Sequence, residues 1–251
     1  RSSDLLYMDQ ATLRDRTQKV RGGIPVLFPI AGALAGDRYE CGGRSYPMRQ
    51  HGLARQAAWS VHNVGGARLT LEFRSSPATK ASFPFDFAYR LTIDIERAGF
   101  RSLVLDSEIE HLGTDPGAPA MPLHFGFHPY FWVPELDKPR TRLDIPARTA
   151  LDNQTGRTGP WSGELDHTQS VQDLHLQGLS GNSATLTLPG KLPRTLTWSD
   201  SYSTIVVWTT SIKDFICIEP WSAPSDALNS GEGLVRLPPG EIHRASFTIS
   251  V

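Results

Sequence analysis

The stretch ICIEPW at residues 216–221, together with STIVVW at residues 203–208, decides how the rest of the chain is interpreted. Both runs are apolar and rich in β-branched residues, and SIKD at residues 211–214 between them is typical of a turn. We therefore predict neighbouring buried strands. Glu219 is a carboxylate at the end of this apolar run, and a bare carboxylate is costly to desolvate. Glu219 is either paired or in contact with a polar ligand at the wall of a cleft, or it points into water from the end of a strand. The stretch alone leaves both alternatives open.

Most of the chain consists of short segments in which apolar and polar residues alternate, separated by turn residues. With 22 glycines and 19 prolines, the sequence favours many strands and few helices. Alternation of apolar with polar residues is typical of antiparallel strands that cover a core with one face. The predicted fold class is therefore all-β. The segments are a hairpin around Gly42 and Gly43, a meander at residues 58–61, 68–73, 87–95 and 102–109, and strands at 142–145, 171–176, 183–188, 234–237 and 245–251.

The bulk properties exclude several classes of partner. The net charge is −1, from 25 basic and 26 acidic residues, which argues against nucleic acid and an acidic membrane surface. The two cysteines, Cys41 and Cys217, have no metal-ligand or redox spacing. No apolar run approaches the roughly 20 residues that span a bilayer, and the charged N-terminus is unlike a signal peptide. We expect a soluble, cytoplasmic protein.

Two segments that combine glycine with a charged residue look like walls of a cleft. In VRGGIPVLFP at residues 20–29, two glycines permit a tight turn and two prolines exclude a central ladder strand. Arg21 in this segment is either a surface charge or a donor that faces a cleft. In QHGLAR at residues 50–55, His51 and Arg55 flank a glycine whose missing side chain would let a ligand approach the backbone.

The segment PLHFGFHPYFWV at residues 122–133 carries two histidines. On one extended strand, His124, Gly126 and His128 would share a face opposite the apolar residues between them. The two imidazoles would then lie about 13 Å apart, too far for one metal ion, so we predict no metal site. His128 is either a hydrogen-bonded core histidine or a proton donor at neutral pH.

If His128 and Glu219 meet across one cleft, they form a minimal apparatus for proton transfer. An imidazolium can donate a proton and a carboxylate can accept one, which suffices to move a proton between two oxygens of one substrate. The sequence has no Ser-His-Asp order, no phosphate-binding glycine loop before a helix and no metal-ligand set. Hydride, phosphoryl and metal-assisted reactions are therefore disfavoured.

Taken in order, RGGIP (residues 21–25), QHGLAR (50–55), HPYF (128–131), EPW (219–221) and DALNSGE (226–232) resemble the aldose 1-epimerase (galactose mutarotase) family, closest to its hexose-6-phosphate mutarotase branch. The resemblance implies a galactose-mutarotase-like β-supersandwich of antiparallel sheets with an open carbohydrate cleft and no cofactor. It implies that His128 protonates the ring oxygen of a pyranose and that Glu219, about one sugar ring's width away, removes the proton of the anomeric hydroxyl. It also implies that His51 and Arg21 bind sugar hydroxyls, and that Arg21 and Arg55 bind a phosphate.

Two further expectations follow from the same resemblance. Asp173 matches the family's substrate-binding aspartate. Strands of the family precede the position of Arg1, so we expect residues 1–251 to form a single domain that lacks its first N-terminal strands.

The expected partner is a small sugar or sugar phosphate, and the expected oligomeric state is a monomer or weak dimer. A non-catalytic carbohydrate-binding or sensing module on the same sandwich is the alternative, because a fold does not fix a function. A glycoside hydrolase ranks last, since it needs two carboxylates at one bond.

Overall fold

A computed structural model describes residues 5–15, 17–95 and 101–251, and within them β-strands predominate. The strands are β1 Val26–Leu27, β2 Arg38–Cys41, β3 Arg44–Pro47, β4 Ser60–Gly65, β5 Arg68–Arg74, β6 Phe87–Asp94, β7 Ser102–His111, β8 Met121–Leu123, β9 Gly126–Phe127, β10 Tyr130–Trp132, β11 Arg142–Asp144, β12 Thr149–Asp152, β13 Arg157–Pro160, β14 Val171–Gln177, β15 Ser183–Thr187, β16 Arg194–Trp198, β17 Thr204–Thr210, β18 Phe215–Trp221, β19 Val235–Leu237 and β20 Ile242–Ser250.

Helices are short. They comprise α1 Gln10–Arg14, α2 Pro77–Lys80 and α3 Ala227–Ser230, with 3₁₀ turns at Ala35–Asp37, Ala54–Gln56 and Glu135–Arg140. Within residues 5–15, 17–95 and 101–251, no helix has the length and apolarity that crossing a membrane requires.

Two large antiparallel sheets carry most of the strands. The first has the order β1-β9-β18-β17-β14-β12-β13, and β10 also pairs with β18. The second has the order β11-β15-β16-β20-β7-β6-β5-β4, so its last four strands are the meander predicted from the alternating pattern. The all-β prediction is confirmed. The hairpin at Gly42 and Gly43 is also confirmed, because β2 pairs with β3 on either side of these glycines.

Aromatic and aliphatic side chains from both sheets form one large core. Phe127 of the first sheet stacks on Phe247 of the second, with ring centroids 5.6 Å apart. Phe83 and Phe87 lie in the same core. Burial of such large apolar surfaces is the main favourable contribution to folding.

Strand β18 is buried along its whole length, as the stretch at residues 216–221 predicts. It lies between β17 and β10, and therefore has no solvent edge over most of its length. Successive side chains of a strand point to opposite faces. Ile216 and Ile218 accordingly enter the core between the sheets, whereas Cys217, Glu219 and Trp221 occupy the other face.

The prediction of one extended strand over residues 122–133 is wrong in part. The segment is broken into β8, β9 and β10, with irregular backbone at Phe125 and at Pro129. Proline has no N–H with which to continue a ladder. The assignment of faces is nevertheless correct, because Leu123, Phe125 and Phe127 all lie in the core between the sheets.

Candidate active site

A cleft of about 500 Å³ opens over the face of the first sheet that bears Glu219. The structure places all six residues selected from the sequence on its wall, although they come from five separate parts of the chain. They are Arg21, His51, Arg55, His128, Asp173 and Glu219. Asp173 lies on β14 and Glu219 on β18, and these strands flank β17 in the sheet. The sheet order thus brings together residues that are far apart in sequence.

His128 and Glu219 are in direct contact at the floor of this cleft. The imidazole Nδ1 lies 3.3 Å from the carboxylate Oε1, and the two side chains are 6% and 1% exposed. The solvent-facing alternative for Glu219 is therefore wrong. The pair is also closer than the width of a sugar ring that the sequence argument assumed. This closeness suits anomer chemistry, because the ring oxygen and the anomeric oxygen are bonded to one carbon.

Burial disfavours charge on both members of the pair. It raises the pKa of Glu219 well above 4.5, and the nearby Asp173 raises that pKa further. It lowers the pKa of His128 well below 6.5, and the positive charge of Arg55 acts in the same direction. Burial thus favours the neutral imidazole and the protonated carboxyl group. A single proton shared by two groups in contact can be transferred between them.

Trp221 orients the carboxylate. Its indole Nε1–H donates a hydrogen bond of 3.1 Å to Oε2 of Glu219, which leaves Oε1 for His128. The indole is buried and meets three imidazoles edge to face, those of His51, His124 and His175. A buried indole N–H needs an acceptor, and Glu219 supplies it. Sequence reasoning noted Trp221 as part of a motif but did not assign it this contact.

Two glycines make room for this indole. A Cβ at Gly126 would lie 2.6 Å from the Pro220 carbonyl oxygen and 2.9 Å from Cδ1 of Trp221. At Gly32, where φ is +80°, a Cβ would lie 2.9 Å from Cζ3 of Trp221. The space that a side chain at residue 126 would occupy is therefore filled by Trp221.

Gly52 likewise faces protein and not a ligand, because a Cβ there would lie 2.4 Å from the Phe28 carbonyl oxygen. The interpretation of Gly52 as a point where a ligand approaches the backbone is wrong.

His51 is held in a fixed orientation beside the pair. It adopts a left-handed backbone with φ of 68°. Its own N–H donates to the carbonyl oxygen of Gly32, and its Nδ1 accepts from the N–H of Gly32 at 3.2 Å. Burial lowers the pKa of His51 to about 3, so the ring is neutral. Because Nδ1 is an acceptor, the proton is on Nε2, which can donate to a ligand.

The two arginines differ in how they are held. Arg21 is exposed, and its guanidinium carbon lies 5.9 Å from the ring centroid of Trp208. Arg55 is half-buried; its Nη2 donates to the Val20 carbonyl oxygen at 2.8 Å and lies 3.5 Å from the Tyr130 hydroxyl. The buried Nε of Arg55 has no hydrogen-bond partner. With Lys19 on the same wall, the cleft has a basic side.

Two neighbouring side chains hold Asp173 in the cleft. His175 Nε2 lies 3.2 Å from Oδ1, and Asn153 donates to Oδ2 at 2.8 Å. Burial raises the pKa of Asp173, but these two hydrogen bonds outweigh it and the net pKa is below 3.8. Asp173 is therefore a carboxylate, and it can accept hydrogen bonds from hydroxyl groups.

His124 lies apart from these residues. It is fully buried beneath Trp221 and does not line the cleft. Burial lowers its pKa to about 3. The face with two imidazoles predicted from the sequence therefore presents only His128 to the cleft.

The chain is an antiparallel β-sandwich with a polar cleft, and comparison with known families assigns it to one of them. The family model described as Aldose 1-epimerase matches residues 16–250. The chain belongs to this family, which confirms the resemblance seen in the sequence motifs. Membership makes the protein an isomerase of the epimerase type.

Individual relatives agree with this assignment. The Slr1438 protein from Synechocystis sp. PCC 6803 has a structure that superposes with a TM-score of 0.91 at 36% identity, covering 98% of this chain and 83% of that protein. A galactose mutarotase related enzyme from Lactobacillus acidophilus superposes with a TM-score of 0.75 at 23% identity, over 90% and 82% of the two chains. Protein LacX from Lactococcus lactis subsp. lactis is 24% identical over 92% of this chain and 85% of its own length. The mutarotase-like fold is thereby confirmed.

Proposed function

We propose that this protein interconverts the α and β anomers of an aldose or aldose 6-phosphate by acid/base ring opening and closure. The observation that carries the proposal is the contact between His128 and Glu219, at 3.3 Å, on the wall of a polar cleft. Acid and base groups in contact can act together on two oxygens that share a carbon.

In the proposed reaction His128 is the general acid and Glu219 the general base. The imidazolium protonates the ring oxygen while the carboxylate accepts the proton of the anomeric hydroxyl. The bond between the anomeric carbon and the ring oxygen breaks, and an open-chain aldehyde forms. Rotation of the aldehyde and reversal of both proton transfers close the ring to the other anomer and restore the pair. The proton count is the same before and after.

The reaction starts from the tautomer that has its proton on His128, whereas burial alone favours the proton on Glu219. Transfer across the contact converts one tautomer into the other. Hydroxyl donors of a bound sugar stabilise the carboxylate, as the Trp221 N–H already does. Sugar binding thus supplies the free energy that moves the proton to the imidazole.

The remaining cleft residues have proposed binding roles. His51 and Arg21 bind sugar hydroxyls, and Asp173 accepts hydrogen bonds from others. Arg21 and Arg55 bind the phosphate of an aldose 6-phosphate, a proposal supported by the basic side of the cleft, where Lys19 adds a third positive charge. The basic side chains and the Asp173 carboxylate, which line the same cleft, would orient a sugar phosphate in one direction.

Glu219→Gln separates this proposal from a non-catalytic sugar-binding module. The amide keeps the shape of the side chain but cannot accept the anomeric proton. We expect polarimetric rates on glucose and glucose 6-phosphate to fall to the uncatalysed rate, while calorimetric sugar affinity changes less than about tenfold. Undiminished rates would refute the catalytic role. Wild-type protein that binds sugar without accelerating anomer exchange would establish the binding module.

The preference between sugar and sugar phosphate needs its own comparison. With Arg21→Gln, the rate on glucose 6-phosphate should fall more than the rate on glucose, since one guanidinium–phosphate contact is worth about 1.5–3 kcal/mol. Equal losses on both sugars would assign Arg21 to the hydroxyl groups alone.

A further inference from the structure

A third donor lies beside the proposed catalytic pair. Cys217 is two residues before Glu219 on β18, so both side chains occupy the same face of the strand. The pairing of Tyr130 with Cys217 aligns β10 so that the adjoining His128 reaches this face. As a result His128 Nδ1 or Nε2, Cys217 Sγ and a Glu219 oxygen lie within 4.8 Å of one another.

This combination of donors suits a particular kind of cation. One imidazole, one thiol and one carboxyl are the three ligand types that Zn²⁺ binds in proteins. Bonds of about 2.0–2.3 Å place tetrahedral ligand atoms roughly 3.3–3.8 Å apart. His128 and Glu219 already meet this spacing at 3.3 Å, and a shift of about 1 Å would bring the sulfur into range. Mg²⁺ and Ca²⁺ prefer sets of oxygen ligands and would not bind here.

A second observation also indicates a ligand. The Nδ1 atom of His128 is buried and has no hydrogen-bond partner, although it faces Glu219. Buried polar atoms are normally satisfied, and an orphaned imidazole nitrogen is available to a metal ion. Cys217 is a free thiol and is fully buried. Because His128 and Glu219 line the cleft, an ion has a path to all three groups.

We propose that His128, Cys217 and Glu219 form a binding site for Zn²⁺ that inhibits the enzyme. The neutral imidazole coordinates directly, and the thiol and the protonated carboxyl each release one proton to solvent as the ion binds. The fourth position faces the cleft and is filled by water or by a sugar hydroxyl. Occupancy removes both the acid and the base, so the inhibition rests on the proposed function, whereas the binding does not.

Calorimetry with ZnCl₂ and the purified full chain tests the binding without reference to activity. We expect one ion per chain, with more than one proton released when buffers of different ionisation enthalpy are compared. Cys217→Ala removes the sulfur and lies outside the proposed acid/base machinery, so it should keep mutarotation. It should weaken zinc binding at least tenfold, since losing even an outer-shell partner costs that much. Cys41→Ala removes the other cysteine and is the matched control.

A spectroscopic readout covers the case in which Cys217→Ala does not fold. Co²⁺ bound to the wild-type chain should show a thiolate-to-metal charge-transfer band. Zn²⁺ should displace the Co²⁺ and abolish this band. Binding retained by Cys41→Ala, lost by Cys217→Ala and accompanied by inhibition that a chelator reverses would support the proposal. Absence of a 1:1 complex, equal affinity in Cys217→Ala, or a cobalt spectrum without the thiolate band would overturn it. If the protein binds zinc but the metal-free protein does not accelerate anomer exchange, the proposed function is refuted and the proposed zinc site is unaffected.

Discussion

Lowering the pH from 7.5 to 5.0 should destabilise the fold through two buried histidines. Burial lowers the pKa of His51 and of His124 to about 3, whereas both start from 6.5 without burial. At pH 5.0 both rings stay neutral in the folded protein, but the unfolded chain binds a proton at each. The stability that these neutral rings contribute is complete above pH 6.5 and is lost as the pH falls towards 3. At pH 5.0 the loss is about 2 kcal/mol per histidine, or about 4 kcal/mol together.

The pair of His128 and Glu219 contributes in opposite directions. The lowered pKa of His128 removes stability as the pH falls from 6.5, because the unfolded imidazole binds a proton that the folded one does not. The raised pKa of Glu219 adds stability as the pH falls, because the folded carboxyl group keeps its proton to a higher pH than the unfolded one. Carboxylates whose pKa is lowered by folding, such as Asp173, lose stability only below their ordinary pKa of 3.8. The loss of about 4 kcal/mol from His51 and His124 is a large share of a typical domain's stability of about 5–15 kcal/mol.

Urea unfolding at the two pH values measures this loss, and His124→Gln isolates one contribution. The glutamine is neutral at both pH values, so the difference in unfolding free energy between pH 7.5 and 5.0 should be about 2 kcal/mol smaller than in the wild type. The exposed His167 provides a matched control, His167→Gln, which should keep the wild-type difference. An identical pH difference in the wild type and in His124→Gln would refute the reasoning.

Three further predictions concern the cleft. Trp221→Phe keeps the ring packing but removes the hydrogen bond to Glu219, and a bond of this type is worth about 1.5 kcal/mol. The value of kcat should therefore fall about tenfold with little change in KM. A rise in KM with an unchanged kcat would contradict this prediction. Gly126→Ala should cost about 1–3 kcal/mol in thermal unfolding and lower activity by displacing Trp221, whereas Gly159→Ala, whose Cβ would meet nothing within 4 Å, should do neither. The value of kcat/KM should stay level as the pH falls through 6.5, because burial lowers the pKa of His128; an acid limb centred at 6.5 in NMR exchange rates would show an imidazole with an ordinary pKa.

Much of the fold follows from local pattern. The meander β4–β7 and the buried strand β18 have strong alternating or continuous apolar signals, and both appear where the sequence predicts them. Strands β12 and β13 were missed because their residues are largely polar and half-buried or exposed. Residues 149–152 form strand β12 because they pair with β14, and no local sequence pattern predicts that pairing.

The site illustrates the same limit. Glu219 is conspicuous in the sequence because it follows an apolar run, and Cys217 shares its face by simple alternation. The contact between Glu219 and His128 depends on the register of β10 with β18, which only the fold supplies. The role of Gly52 was misread because its Cβ would collide with the carbonyl oxygen of Phe28, a residue that is distant in sequence. Close packing between strands is therefore what sequence reasoning could not recover.

The most direct test of the central claim is saturation-transfer NMR of anomer exchange in glucose and glucose 6-phosphate with three variants, His128→Asn, Glu219→Gln and the double variant. If the two side chains act as one proton-transferring unit, each single variant should lose as much exchange rate as the double variant, because removing either member disables both. Losses that add independently, or a single variant that keeps the wild-type exchange rate, would contradict the account.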